Sequence, residues 1–187
     1  MTTSFKSYYK LPKNNKKRFG EGGKRLKKIN QLKVKPIFTI ITVVLNNDKY
    51  LEATIKSVLG QSFKDYEYII IDGGSSDKSI KIIKKYQKKI NYWVSEKDQG
   101  IYDAFNKGMS LARGEYIGII NSDDIYTKNS LKIISKYIDN NKNIDFIFGS
   151  VKKHWGVLHG YRPKKIHYSW GFYSSHSTGF FLSRKAA

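Results

Sequence analysis

Between Pro36 and Gly149, short β-branched runs alternate with segments whose apolar residues recur every three or four positions. That alternation restricts the chain to an α/β fold. Ile37 to Leu45 and Tyr66 to Ile71 are near-continuous apolar runs, the pattern of strands buried on both faces. Tyr92 to Ser95, Tyr116 to Ile120 and Ile144 to Gly149 are further strands. Leu51, Ile55, Val58 and Leu59 mark a helix over Asp48 to Leu59, ended by Gly60, and Ile80, Ile83 and Tyr86 mark a second. A third runs from Ile101 to Ala112 before Gly114, and a fourth from Leu131 to Ile138. Strands separated by single helices join through right-handed crossovers into a mostly parallel sheet. After Ser150 the period weakens: Val151 to Tyr161 reads as a β-ribbon and the remainder as loop.

A chain of 187 residues suffices for one domain with a substantial core. The absence of cysteine excludes a disulfide framework, a thiolate nucleophile and a cysteine zinc site, and fits a reducing compartment. The longest apolar-leaning stretch, Pro36 to Leu45, falls far short of the ~20 residues of a membrane span. Lys6, Lys10 and Lys13 lead into more charge instead of the apolar core of a secretory leader. The expectation is a soluble cytoplasmic protein. Of the net charge of +20, residues 1–35 hold +11, with Glu21 the single acid among twelve Lys and Arg. That segment lacks periodicity and reads as a basic flexible tail, with room for a short helix over Lys24 to Gln31. Residues 36–187 form the folded domain. Charge of this sign attracts anions, and with no nucleic-acid motif present the tail is expected to contact an anionic membrane at the periphery, not a specific nucleic acid. A coding bias toward Lys, Ile and Asn explains the same charge without any partner.

Ligands of an open α/β sheet bind beyond the carboxyl ends of its strands. Three polar clusters fall there: Asn46-Asn47-Asp48, Asp72 to Asp77, and Asn121 to Asp124. Any one is explained by turn and helix-cap chemistry. Three on one rim point to a site. The neighbouring carboxylates of Asp123 and Asp124 repel unless a cation lies beside them. Mn²⁺ or Mg²⁺, sharing its remaining positions between water and phosphate oxygens, suits such a pair. The alternative is a solvated Asp123 and an Asp124 that caps the next helix.

From Ile40-Ile41-Thr42-Val43-Val44-Leu45-Asn46 through Ile71-Asp72-Gly73-Gly74-Ser75-Ser76-Asp77 to Asn121-Ser122-Asp123-Asp124, the stretch Thr39 to Tyr126 resembles a family 2 glycosyltransferase of the GT-A fold. The resemblance rests on Ile40 to Asn46, Ser57-Val58-Leu59-Gly60-Gln61-Ser62, Ile71 to Asp77, Asp98 to Gly108, Ala112 to Tyr116, and Asn121-Ser122-Asp123-Asp124, in the family's order over about 90 residues. The Gly-Gly-Ser and Gly-Ile-Tyr-Asp-Ala variants are similar to bacterial O-antigen and exopolysaccharide transferases. The resemblance implies a nucleotide-binding part over residues 36–126 and a partial acceptor part over 127–187. It implies a nucleotide-sugar pocket built from Thr42, Val43, Leu45, Asn46, Asp72, Gly73, Asp98, Gly100, Asn106 and Asp123. Asp123 and Asp124 match the family's Asp-x-Asp metal region, Asp124 ahead of its neighbour as direct ligand. The implied reaction is a single inverting displacement from a nucleoside-diphosphate sugar to a hydroxyl of a glycan or lipid-linked acceptor.

The departures matter as well. Leu45 stands where many relatives have a Tyr near the base, Gly73 replaces a common second Asp, and Asn121 replaces the frequent first Asp of the metal motif. The usual base, an Asp many tens of residues after the metal motif, has no counterpart, because Asp145 is the last acid of the sequence. His176-Ser177-Thr178-Gly179-Phe180-Phe181 resembles the family's segment before the base-bearing helix, which leaves His176 as the candidate catalytic group. The reading is therefore a C-terminally truncated GT-A domain. Its alternative function is that of a nucleotide-sugar-binding module lacking a catalytic base.

Overall fold

The computed structural model describes residues 18–26, 35–141, 143–153, 156–158 and 177–187. In chain order the elements are β1 (Arg18–Gly22), β2 (Phe38–Val44), α1 (Asp48–Leu59), β3 (Tyr66–Asp72), α2 (Ser79–Tyr86), β4 (Tyr92–Glu96) and α3 (Ile101–Leu111). They continue with β5 (Tyr116–Asn121), α4 (Ser130–Asn140), β6 (Phe146–Phe148), β7 (Val151–Lys153), β8 (Gly156–Leu158) and β9 (Phe180–Ser183). Seven strands form one sheet in the order β1-β4-β3-β2-β5-β9-β6. The four central strands are parallel, whereas β1 and β9 run antiparallel to their neighbours. β7 and β8 pair separately, as the ribbon pattern predicts.

The alternation of side chains along β2 divides the core between two faces. Phe38, Ile40 and Val44 face the layer that receives Leu51, Ile55 and Val58 of α1, Ile83 of α2 and Leu131 of α4. Ile41 and Val43 face the layer covered by α3 through Ala104, with Phe105 and Met109 alongside. Each aliphatic side chain buried this fully contributes roughly 1.5–3 kcal/mol. Helices on both faces leave the carboxyl ends of β2, β3 and β5 as the open rim of the sheet.

Two sequence expectations need correction. The first is the flexible tail, since Arg18–Gly22 is an ordered edge strand paired with β4. Its low apolar content hides the cause, which lies in its glycines. A side chain at Gly20 would approach the Trp93 ring at 3.1 Å, and one at Gly22 would meet Trp93 Nε1 at 2.5 Å. The indole therefore lies over a strand that offers it no side chains on that face. Tyr92 donates to Glu21 (2.6 Å) and Arg18 pairs with Glu96 (3.3 Å), fixing the strand's other face. Residues 1–17 and 27–34 lie outside the described residues, as does most of the expected Lys24 to Gln31 helix. Gly22→Ala is expected to cost about 1–3 kcal/mol through overpacking. The cost should be local: amide exchange at Glu21 and Gly22 rises, while Ile69 to Ile71 in β3 keep their protection.

The second correction concerns the chain after residue 176, where β9 replaces the expected loop. It inserts between β5 and β6, and Phe181 lies over Gly118, where any side chain would overlap its ring. Phe181 also stacks on Tyr126 (centroids 6.1 Å apart) and meets Phe38 edge-on at 5.8 Å.

Candidate functional site

The open rim holds a cleft of about 460 Å³. Val43, Val44, Leu45 and Asn47 bring the end of β2 to it. Gly73 follows β3, Asp98 follows β4, Asn121 ends β5, and Ser122 and Asp123 follow it. Gly100, Ile101 and Ala104 add the first turn of α3. Of the sequence-predicted pocket residues, Val43, Leu45, Gly73, Asp98, Gly100 and Asp123 thus line one space.

The three polar clusters are tied to one another by hydrogen bonds. Asn46, in the left-handed region at φ 49°, donates its N–H to Ser75 Oγ (2.8 Å) and accepts from the Ser76 N–H (2.8 Å). Asn47 Nδ2 donates to Ser122 Oγ (2.9 Å), and the Asp48 N–H donates to Asp77 (2.9 Å). Asn46 is therefore a brace between loops, not a wall of the cleft. Asp72 is fully buried, and its Oδ2 accepts from Ser95 Oγ (2.6 Å) and from the N–H groups of Gly74 and Ser75 (3.2 and 3.1 Å). Its Oδ1 has no hydrogen-bond partner among the described residues. Gly73 keeps the cleft open, because a side chain there would come 2.9 Å from Asp98 Oδ2 and 3.5 Å from Leu45 Cδ1.

With Asn46 and Asp72, Thr42 and Asn106 make four of the ten expected pocket residues that do not line the cleft. Thr42 is buried and shares a hydrogen bond with the Tyr68 hydroxyl (2.9 Å), on the face of β2 that meets α1. Asn106 is exposed on α3 and does not line the cleft. His176 lies outside the described residues.

The acidic pair separates. Asp123 is exposed, lines the cleft and makes no ion pair among the described residues. Asp124 closes a turn by donating its N–H to the Asn121 carbonyl (3.2 Å), which carries its side chain beneath the rim. There Oδ2 accepts from Asn121 Nδ2 (3.2 Å) and from Thr178 Oγ1. Asp123 thus faces the space, whereas Asp124, the one expected ahead of it as direct ligand, holds the turn against the segment before β9. No group of three or more His, Cys, Asp or Glu side chains surrounds a point among the described residues. One open carboxylate beside Asn121 and Ser122 does not form a closed cage. It fits a hard divalent cation that completes its shell with water and phosphate oxygens.

Behind Asp98 lies a charge network that sequence reasoning missed. Lys107, with a side chain only 2% exposed, pairs with Asp98, with Glu96 at 3.2 Å and with Asp103 at 3.3 Å. Arg18 of β1 joins from outside through Glu96. Burial pushes the Asp98 carboxyl above its ordinary value; Lys107 opposes this, and the Asp103 and Glu96 carboxylates add to it. Burial draws the Lys107 ammonium down, but Asp98, Glu96 and Asp103 outweigh it and hold the group above its usual range. The Asp103/Lys107 spacing of four residues was the one local clue. The helix start is suited to an anion as well: Gly100 (φ 126°) gives α3 no side-chain cap, and its first turn faces the cleft.

Comparison with known proteins agrees with this geometry. Residues 39–185 match the family model described as glycosyl transferase family 2. An uncharacterised glycosyltransferase of Methanocaldococcus jannaschii is 34% identical over 139 residues, covering 70% of this chain and 48% of that protein. S. aureus TarS 1–349 in complex with UDP-GlcNAc shares the fold with a TM-score of 0.60 at 21% identity, over 79% of this chain and 45% of that one. The mannosyltransferase PcManGT from Pyrobaculum calidifontis, in complex with GDP-Man and Mn²⁺, gives 0.57 at 19% identity, over 65% and 37%. The chain spans about half the length of the curated relatives it matches. The sheet order, the helices on both faces and the rim of polar loops are those of a GT-A fold, and the chain belongs to glycosyl transferase family 2.

Proposed function

We propose that this chain binds a nucleoside-diphosphate sugar and serves a metal-dependent, inverting transfer of the sugar to a hydroxyl of a glycan or lipid-linked acceptor. The observation that carries the reading is the convergence of the open Asp123 carboxylate and the uncapped start of α3 on one cleft, beside Gly73 and Asp98. Asp123 and the turn held by Asp124 would hold Mn²⁺ or Mg²⁺, which supplies charge neutralisation for a departing diphosphate. The first turn of α3 offers backbone N–H groups to the phosphate oxygens. Leu45, Gly73 and the Asp72 loop lie where the nucleoside fits, with the Lys107 network fixing Asp98 at the wall. In the transfer the acceptor oxygen bonds to the anomeric carbon, the bond to the diphosphate oxygen breaks, and the hydroxyl proton passes to a base.

A second reading is favoured by Asp145. Its carboxylate is occupied with β9, accepting from Ser183 Oγ (2.7 Å), while its carbonyl accepts from the Ser183 N–H (2.7 Å). On that reading the chain is a nucleotide-sugar-binding module, and turnover takes its base from elsewhere. Among the described residues no helix is long and apolar enough to cross a membrane. Contact with a lipid-linked acceptor would then run through the basic N-terminal segment at an anionic surface.

Calorimetric titration with UDP, GDP and dTDP tests the site. Binding is expected with Mn²⁺ present and lost in EDTA. Equal heats with and without the cation would remove the metal from the reading, and no binding under either condition would remove the nucleotide site. Release of nucleoside diphosphate from donor sugars then separates the enzyme from the binding module.

A further inference from the structure

The strand β1 precedes residue 39, where the family match begins, yet it packs against the Gly74 loop that adjoins the cleft. Its pairing with β4 slips between Arg18 and Gly20, which leaves Phe19 as the extra residue of a bulge. Bulges re-aim a side chain while the flanking ladder stays fixed. Here Arg18 is pinned by Glu96 and Gly20 by the Trp93 ring, so the residue between them has a defined direction. Phe19 lies against Gly74 (φ 88°): a side chain built at Gly74 would come 2.9 Å from Phe19 Cε2 and 3.5 Å from the Lys97 backbone. Gly74 and Lys97 adjoin Gly73 and Asp98 in the chain, and both of those line the cleft. Phe19 is nonetheless 64% exposed.

Those facts complement a deficiency in the cleft itself. None of its lining residues is aromatic, so a planar ligand inside would meet only aliphatic side chains, backbone and polar groups. A ring held against a loop beside the cleft and still largely open to water is what a stacking platform requires. We propose that Phe19 is a specificity-determining residue of this site, the outer wall on which the base of a nucleoside diphosphate stacks. The inference rests on the donor-binding role of the cleft. It adds an element that the family match does not contain, and it predicts a preference that follows ring size: purines gain more than pyrimidines.

The test is calorimetric titration of the full chain and its Phe19→Ala and Phe19→Trp variants with UDP, GDP and inorganic pyrophosphate, each with Mn²⁺. Phe19→Ala is expected to weaken both nucleotides about tenfold, GDP more than UDP, and to leave pyrophosphate unchanged. Phe19→Trp retains or tightens nucleotide binding. Equal losses for all three ligands in Phe19→Ala would reduce the residue to a prop for the Gly74 loop and overturn the proposal. So would wild-type affinities in that variant. A wild-type chain that binds neither nucleotide would sink the donor site along with it, whereas wild-type binding that Phe19→Ala leaves untouched sinks only the stacking role.

Discussion

Asp123→Asn is expected to weaken Mn²⁺-dependent nucleotide binding roughly a hundredfold, equivalent to about 2.7 kcal/mol, while leaving the melting temperature nearly unchanged. The asymmetry comes from position. Asp123 is exposed at the cleft and has no ion-pair partner among the described residues, so its replacement removes charge from the ligand site without orphaning a protein group. Asp124→Asn should behave in the opposite way. Its carboxylate accepts from Asn121 and Thr178, and its backbone carbonyl accepts from Thr54 Oγ1 (2.8 Å), so the residue joins β5, α1 and the segment before β9. Both donors point at Oδ2, so asparagine can still accept from them there, but only through a neutral amide oxygen that weakens both bonds. A loss of about 1–2 kcal/mol in urea denaturation is expected, with less than a tenfold change in nucleotide affinity. Titrations of UDP against each variant at saturating Mn²⁺ make the comparison direct. A larger affinity loss in Asp124→Asn than in Asp123→Asn would return Asp124 to the role of direct ligand.

What could be read from the sequence here was what depends on local periods. β2 to β5 and their intervening helices follow from apolar spacing, and the common rim of the polar clusters follows from where those strands end. What escaped depends on contacts distant in sequence. β1 is held by Trp93, over seventy residues away, and its two glycines look like linker composition until that indole is placed. β9 is four residues long and enters the sheet between two strands that precede it in the chain. The side chain of Asp124 is tied to Thr178, fifty-four residues on. Thr42 is the exception, an error that strand alternation could have prevented: it shares its face with Ile40 and Val44, the face covered by α1.

The buried Lys107 carries the second large prediction. Lys107→Met is nearly conservative in shape, but it leaves Glu96, Asp98 and Asp103 converging on an apolar side chain, with Arg18 still paired to Glu96. Removing one partner from a buried ion pair costs about 3–5 kcal/mol. For a chain of this size that is a fall in melting temperature of roughly 10 °C near neutral pH. The pH dependence identifies the cause as charge. In the wild type the Lys107 ammonium titrates above its unfolded value, so its stabilisation is complete below about pH 10 and is lost as pH rises through the folded value. Asp98 is shifted the other way for an acid: its folded value lies above its unfolded one, so ionising it weakens the fold, and protonating it relieves that penalty. Without Lys107 the shift grows, and the penalty extends to higher pH. The stability gap between Lys107→Met and wild type should therefore narrow as pH falls from 8 to 5, as Asp98 moves toward its protonated form. Urea denaturation of both proteins across that range measures it. A gap that stays constant would mean that Lys107 matters for the volume it fills, and Asp98 would then owe its place in the cleft wall to backbone geometry alone.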